Sequence, residues 1–282
     1  MATNKNPNAK QLLTASLALF RQDKSIAALP VLSVASAFAT LVIIGGGLGG
    51  LLTIAGISSQ VSFIASIALA LLITMFLSTF FGVAVVFAAA DRIEGGDPTV
   101  KSCMAKAWQR KGIIFGWALL SAVVGTILNA IQEKVPFGEL LSILGGLAWA
   151  VATWFVLPVI AFEDVSPFAA VKRSAELFKQ RWGKVTRSAV RFGILFFGWM
   201  LLGVVALVGG LFLGLGTHHN SALTVVGLIV AAAGLLVVVV VSVYLSVVQM
   251  YLRTILYRFA VGKSVPDLGV DLAAAFPAAP LR

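Results

Sequence analysis

Few side chains in this sequence have the chemistry of a catalyst or a metal ligand, and they stand apart from one another. The two histidines, His218 and His219, are adjacent in the segment THHNS, where two imidazoles could contact a divalent cation. Zinc sites take three or four protein ligands, and no further ligand stands beside this pair, so we interpret the segment as a polar turn. No set of Ser, His and Asp residues can be assembled either. We therefore predict no catalysis, no metal and no cofactor.

The glycines of IIGGGLGG satisfy the dinucleotide-binding pattern GxGxxG at Gly45, Gly47 and Gly50. That pattern binds pyrophosphate when it lies between a strand and a helix, whereas this copy lies in a long apolar run. The same stretch contains two overlapping GxxxG pairs, Gly45/Gly49 and Gly46/Gly50. Because GxxxG brings membrane helices into close contact, we predict helix packing here and not nucleotide binding.

The remaining polar candidates are Cys103, Asn129 and Gln249. Juxtamembrane cysteines are sometimes acylated, but a single cysteine without a second lipidation signal favours an unmodified thiol. Asn129 and Gln249 stand near the ends of apolar segments, where hydrogen bonds between helices or to lipid headgroups are the expected role. No ionisable side chain stands at the middle of an apolar segment, which argues against an ion-coupled transporter or a pump.

The elements that carry these residues are predicted to be membrane-spanning helices. Hydrophobic residues make up 60% of the chain and charged residues only 11%, whereas a soluble domain carries about a quarter charged residues. One span needs about 20 apolar residues. We predict an all-α polytopic membrane protein with six spans, at residues 26–54, 61–90, 112–131, 140–162, 192–216 and 222–252. A break at the glycine run would add a seventh span, but it would also move a basic link to the outer side.

The positive charge is confined to one side of the predicted membrane. The N-terminus, the links 91–111 and 163–191 and the C-terminal tail contain 20 of the 21 Lys and Arg residues. Since cytoplasmic loops carry this excess, we predict a bacterial inner-membrane protein with both termini cytoplasmic. We also predict no cleaved signal peptide. Residues 1–262 form a single membrane domain in this interpretation, and residues 263–282 a disordered tail. The net charge of +10 then favours anionic lipid as the partner, and not nucleic acid.

The basic segments resemble one another, which predicts an internal repeat. VKRSAELFKQRWG (171–183) and VKSCMAKAWQRKG (100–112) share Val, Lys, Gln, Arg and Gly, and LFKQ (177–180) is similar to LFRQ (19–22). Each segment also precedes a pair of predicted spans. We infer three repeats, each an amphipathic interfacial helix followed by a transmembrane hairpin.

The third basic segment, residues 163–191, has the clearest amphipathic pattern. Its apolar residues recur at steps of three and four, while Leu177 departs from the stripe; the stripe is Phe168, Val171, Ala175, Phe178, Trp182, Val185 and Ala189. Such a helix lies in the headgroup plane with its cations among the lipid phosphates. The alternative is a basic loop that only holds the topology, and for residues 91–111 the two interpretations are equally open.

These patterns define the candidate site residues. The predicted contacts to lipid headgroups are Lys172, Arg173, Lys179, Lys184, Arg187, Lys101, Arg110 and Lys111. The predicted interfacial anchors are Phe168, Phe178, Trp182, Trp108 and Phe20.

The stretch EDVSPFAAVKRSAELFKQRW resembles a segment found in a group of bacterial multi-pass membrane proteins. The group includes the membrane region attached to some glycerophosphoryl diester phosphodiesterases and several uncharacterised six-span families. DRIEGGDPTV (91–100) and YLRTILYRFAVG (251–262) are similar to one such uncharacterised family. The resemblance implies a helical multi-pass fold in the inner membrane. It implies no catalysis, because the phosphodiesterase activity belongs to a soluble barrel domain for which this chain has no room.

The leading functional expectation is a non-enzymatic membrane protein that binds anionic lipid and organises lipids or partner proteins. The alternative is a passive transporter of small solutes or lipids, with a pathway between kinked spans. Pro158 stands inside the fourth predicted span, and Gly209, Gly210, Gly214 and Gly216 stand near the end of the fifth. We expect Pro158 to kink its helix and the glycines to loosen theirs, although ordinary packing also selects such residues.

Overall fold

The computed structural model describes residues 24–182, 186–216 and 221–263, with the side chains of residues 24, 180–197, 216 and 221 left undescribed. These ranges are mostly helical, with short turns and links between the helices, and no strand occurs within them. A 3₁₀ turn at Lys24–Ala27 and a π-helix at Leu41–Leu48 accompany ten α-helices. These are α1 (Ala28–Thr40), α2 (Gly49–Ile54), α3 (Ser59–Ile93), α4 (Val100–Gln109), α5 (Lys111–Lys134), α6 (Gly138–Ala152), α7 (Val156–Phe162), α8 (Pro167–Trp182), α9 (Thr186–Gly216) and α10 (Ser221–Ala260).

Six helical segments are long and apolar enough to cross a bilayer, which confirms the predicted fold class. They are Ser25–Ile54, Ser59–Ile93, Lys111–Lys134, Gly138–Phe162, Gly198–Leu215 and Ala222–Ala260. The π-helix continues the first span without reversing it, so the glycine run makes no seventh crossing. Helix α10, which forms the sixth span, extends eight residues beyond the predicted end of that span at residue 252. A charged residue ends an apolar run in the sequence, but it does not end a helix.

Helix α3 is the central element of the bundle. Its 35 residues give it a length of about 52 Å, well beyond the roughly 30 Å hydrocarbon core. It packs against α1, α4, α5, α7 and α10. The buried core lies along its C-terminal half, where Val83 and Val86 meet Val159 of α7 and Ile255 of α10. Within the described ranges, the buried core therefore lies toward the end at which the second, fourth and sixth spans finish.

The first span packs against α3 through two of its glycines. The Ser66 hydroxyl donates a hydrogen bond of 3.1 Å to the buried carbonyl oxygen of Gly45, and a Cβ atom added at Gly49 would fall 2.9 Å from the Ser66 Oγ atom. Close packing is thus confirmed for the Gly45/Gly49 pair. Gly46 and Gly50 have no described atom within 4 Å of an added Cβ, so the second GxxxG pair makes no such contact.

Glycines also bring α9 and α10 together. A Cβ atom added at Gly210 would fall 2.6 Å from the carbonyl oxygen of Gly227, and one at Gly234 would fall 2.7 Å from the carbonyl oxygen of Gly203. Gly209, by contrast, has no neighbour within 4 Å among the described atoms. The glycine-rich end of the fifth span therefore packs against the sixth, as ordinary packing predicts.

The fourth span is interrupted, and the interruption lies just before Pro158. Helix α6 ends at Ala152, a turn covers residues 153–155, and α7 begins at Val156. Pro158 is thus in the first turn of α7, where proline is tolerated because the N–H groups of a first turn have no partner within the helix. The buried N–H of Phe155 donates to the Ser174 hydroxyl of α8 at 2.9 Å. A side chain of α8 thereby supplies the acceptor that the broken helix lacks.

Candidate functional site

Ionic and polar side chains meet at the end of the bundle where α3, α7 and α10 finish. The Glu163 carboxylate, directly after α7, accepts hydrogen bonds from the Arg173 Nε atom at 3.2 Å and from the Tyr257 hydroxyl at 2.8 Å. The Arg258 Nη1 atom lies 2.6 Å from the Glu94 Oε1 atom. These contacts join α8 and α10 to the ends of the second and fourth spans.

The two helices outside the spans, α4 and α8, are attached at the same end. The Lys106 ammonium group contacts Asp91 at 2.6 Å, which holds α4 against the end of α3. Arg110 contacts Asp164 at 3.3 Å. We call the combined set the charged layer; its members are Asp91, Glu94, Lys106, Arg110, Glu163, Asp164, Arg173, Tyr257 and Arg258. Its solvent-exposed pairs each contribute little to stability, so its main effect is to orient α4 and α8.

Four of the eight predicted headgroup contacts are exposed lysines on or beside these helices: Lys101, Lys111, Lys172 and Lys179. Arg110 and Arg173 have carboxylate partners in the charged layer, so their charge is already compensated. Lys184 lies outside the described residues, as does the side chain of Arg187. The sequence pattern did not separate the exposed cations from the paired ones.

The predicted anchors differ in exposure. Phe168 is 74% exposed at the start of α8, and Trp108 is 55% exposed at the end of α4. Trp108 also contacts Phe80 edge-on with ring centroids 6.2 Å apart, and the Lys111 ammonium lies 4.8 Å from its ring centroid. Phe178 is partly buried against the core. Phe20 and the Trp182 side chain lie outside the described part of the chain.

Helix α8 buries a face that the sequence pattern did not identify. Ala170, Ser174 and Leu177 are buried, and each stands one residue before a member of the predicted apolar stripe. One residue is about 100° of rotation around a helix. Leu177, which departs from the predicted stripe, is therefore the side chain that faces the protein. The helix packs against α5, α6, α7 and α10 and leaves its cationic side outward.

Arg253 is a functional candidate that the sequence analysis missed. The predicted sixth span ended at residue 252, which assigned Arg253 to the cytoplasmic tail, but α10 continues through Ala260. The guanidinium carbon lies 4.4 Å from the ring centroid of Trp154, in the turn between α6 and α7. The Nε atom is buried and has no hydrogen-bond partner among the residues that the structure describes. An arginine within a helical apolar segment is the signal that could have identified it.

The other chemical candidates have ordinary surroundings. Cys103 is fully buried on the inner face of α4, where a modifying enzyme has no access to its thiol. Asn129 and Gln249 lie on exposed faces of their helices, as expected for contacts with lipid headgroups or neighbouring helices. Within the described ranges, no three His, Cys, Asp or Glu side chains are grouped so as to hold a metal ion. His218 and His219 lie outside those ranges.

Comparison with known proteins gives one result. No curated protein and no solved structure matches the chain. Residues 61–266 match a family of unknown function, DUF6159, so the match begins in the second span and covers every later element through α10. It includes the charged layer, both surface helices and the Arg253–Trp154 pair. This six-span helical membrane protein therefore belongs to the DUF6159 family, whose function is unknown.

Proposed function

We propose that this protein is a non-enzymatic integral protein of a bacterial inner membrane that binds anionic lipid at its cytoplasmic side. Helices α4 and α8 carry the contact, together with the predicted N-terminal copy near Phe20. The observation that supports the proposal is the one-sided charge, with 20 of the 21 Lys and Arg residues in four segments on one predicted face. The bound lipids, or partner proteins that assemble with them, would be organised around the bundle.

The exposed lysines are the residues best placed for this role. Each cation near an anionic surface contributes about 1 kcal/mol, and salt screens that attraction. Lys101, Lys111, Lys172 and Lys179 are exposed, whereas Arg110 and Arg173 have carboxylate partners. The proposal therefore assigns most of the salt-sensitive binding to the four lysines.

The attachment of α8 to the bundle sets how it would meet the bilayer. Because Ala170, Ser174 and Leu177 face the protein, α8 has only part of its apolar surface available to lipid. Phe168, exposed at the first turn, is the anchor best placed to enter the acyl boundary. An isolated α8 peptide would also expose Leu177 to lipid, so a test of this role needs the full chain.

The first prediction is that replacing Lys101, Lys111, Lys172 and Lys179 together with Gln lowers the enrichment of anionic lipid around the protein. The reason is the loss of four cations that face the headgroups. We would measure lipid enrichment by electron paramagnetic resonance of spin-labelled phosphatidylglycerol and phosphatidylcholine, with the full chain in mixed vesicles. We expect the preference for phosphatidylglycerol to fall several-fold at low salt.

The matched control replaces the same four lysines with Arg, which keeps the charge and should keep the preference. The Gln variant and the Arg variant should show the same preference for phosphatidylglycerol at high salt, where the attraction is screened. An unchanged preference in the Gln variant at low salt would contradict the proposed lipid binding.

A passive transporter is the second candidate, and the interrupted spans are what favour it. The π-helix at Leu41–Leu48 and the turn at residues 153–155 are places where a helix deviates from regular geometry. A cleft of about 250 Å³ also lies between α9 and α10. Its lining residues are Trp199, Val240, Val241 and Tyr244, so it offers mostly apolar contacts, which suit an acyl chain better than a hydrated solute.

A relation to the membrane region attached to some glycerophosphoryl diester phosphodiesterases is part of the same proposal. The segment EDVSPFAAVKRSAELFKQRW, which forms the link after the fourth span and α8, supports it. Such a region acts as a membrane module beside a separate catalytic domain, which agrees with a non-enzymatic role for this chain.

A further inference from the structure

Arg253 is the most unusual cation in the described part of the chain. It lies on α10 with its guanidinium carbon 4.4 Å from the ring centroid of Trp154. Its Nε atom is buried without a hydrogen-bond partner in the described ranges, although the residue as a whole keeps some exposure. No carboxylate among the described residues pairs with it, since the ion pairs at this end of the bundle use Arg92, Lys106, Arg110, Arg173 and Arg258.

Among the described residues, Arg253 has no counter-ion. Taking a charge out of water costs several kcal/mol unless a partner compensates it, and arginines in membrane segments usually pair with an anion or reach the headgroup region. A cation–π contact contributes about 0.5–2 kcal/mol, which offsets only part of that cost. An anion from outside the chain would complete the site.

The depth of Arg253 indicates which anion is available. Tyr257 and Arg258, which belong to the charged layer, follow it by four and five residues, or about 6–8 Å along the helix. The interfacial region on each side of a bilayer is about 5–8 Å thick. If the charged layer meets the aqueous edge of the interface, Arg253 lies at the level of the lipid phosphates. Trp154 is at the same level, as interfacial tryptophans are.

We propose that Arg253 and Trp154 form a binding site for a phosphate group, supplied by a bilayer lipid. The guanidinium group presents planar N–H donors that match two phosphate oxygens, which an ammonium group cannot do. The guanidinium carbon lies over the Trp154 ring, and in this proposal the N–H groups of the guanidinium bind the phosphate. This site differs from the surface of exposed lysines because it holds one lipid and depends on a single partly buried arginine.

The inference rests on the proposed function in that both need an anionic lipid, but it depends on different residues. The test uses the purified full chain in detergent, with unfolding followed by circular dichroism on heating. Short-chain phosphatidylglycerol is added in one series and inorganic phosphate in the other. We expect phosphatidylglycerol to raise the unfolding temperature with a saturating dose dependence, because a ligand of the native state stabilises it. Inorganic phosphate should do so only at much higher concentration.

Substitutions then locate the site. Arg253→Gln should weaken the apparent affinity for phosphatidylglycerol at least tenfold, and Arg253→Lys should weaken it less, since the charge remains without the paired donors. The matched control is Lys263→Gln, which removes a cation that lies 5.6 Å from the Phe162 ring centroid at the same end of the bundle. It should leave the affinity unchanged. The Arg253→Lys protein also keeps the test informative if Arg253→Gln does not fold.

The outcomes separate the two proposals. Equal lipid affinity in the wild type and the folded Arg253 variants would overturn this inference, as would an equal loss in Lys263→Gln. A response to inorganic phosphate at similar concentration, lost with Arg253, would support the phosphate site and make free phosphate its source. If the four-lysine Gln variant keeps its lipid preference while Arg253→Gln loses affinity, the proposed function fails and the phosphate site stands.

Discussion

Ser174 shows how a single polar side chain can hold an interrupted span together. It is fully buried on α8, and its hydroxyl accepts a hydrogen bond from the Phe155 N–H in the turn between α6 and α7. In the predicted alignment of 171–183 with 100–112, Ser174 corresponds to Cys103, which is also fully buried. A small side chain at this position lets each surface helix approach the bundle, and the internal repeat stays a prediction.

We predict that Ser174→Ala destabilises the protein by about 1–3 kcal/mol, because the buried Phe155 N–H loses its acceptor. Unfolding of the full chain by sodium dodecyl sulfate in mixed micelles, followed by circular dichroism, measures the change. The control is Thr126→Ala, since the exposed Thr126 hydroxyl bonds only to the Ala122 carbonyl of its own helix. It should change stability by less than about 0.5 kcal/mol. An equally small effect of Ser174→Ala would show that the bond contributes little.

At the scale of elements, small residues decide which helices come into contact. Helices α9 and α10 touch along a line of glycines in which a Cβ atom at Gly227 would fall 2.7 Å from the Gly214 Cα atom. Without a hydrophobic driving force between helices in lipid, such close van der Waals contact is a main source of attraction. The hairpin of α9 and α10 therefore depends on the glycines at the contact between its two helices.

We predict that Gly227→Leu separates α9 from α10, because the new side chain overlaps the α9 backbone. Forcing extra volume into a tight contact costs about 1–3 kcal/mol and sometimes more. The unfolding assay in mixed micelles measures the loss. The matched control is Gly209→Leu, which makes the same substitution at a position with no described neighbour within 4 Å and should be nearly neutral. Similar losses in the two variants would rule out the glycine contact as the cause.

At the scale of the whole molecule, the charged layer gathers the ends of three spans. Glu94 follows the second span, Glu163 follows the fourth, and their partners Arg258 and Tyr257 lie at the end of the sixth. Because these ends meet, they lie on one side of the membrane. The one-sided positive charge predicts that this side is the cytoplasm.

We predict that reporter fusions at residue 5, in the links 91–111 and 163–191 and at residue 275 report a cytoplasmic location. Fusions in the turns 56–60 and 217–221 should report an external one. Paired phosphatase and fluorescent-protein reporters, which are active on opposite sides of an inner membrane, make the measurement. A C-terminus outside the cytoplasm would contradict the proposed orientation, since six spans place both termini on the same side.

The sequence by itself determined the six spans, the all-α class and the confinement of positive charge to four segments. These features are local, because the bilayer thickness sets the length of an apolar run and each run can be recognised alone. A kink at Pro158 was also predicted, because proline disfavours the helix interior wherever it occurs, whereas the structure has a full turn at residues 153–155 before it.

Only the tertiary structure decided which side chains face a neighbour. The buried face of α8 is rotated by one residue from the predicted stripe, since Leu177 meets the bundle while Phe168 stays outside. The predicted headgroup cations were chosen by charge, and the structure separates the exposed Lys172 from Arg173, which pairs with Glu163. Arg253 is a candidate because α10 continues past it and its side chain contacts Trp154. These outcomes depend on partners distant in the sequence, and helical periodicity within one segment carries no information about them.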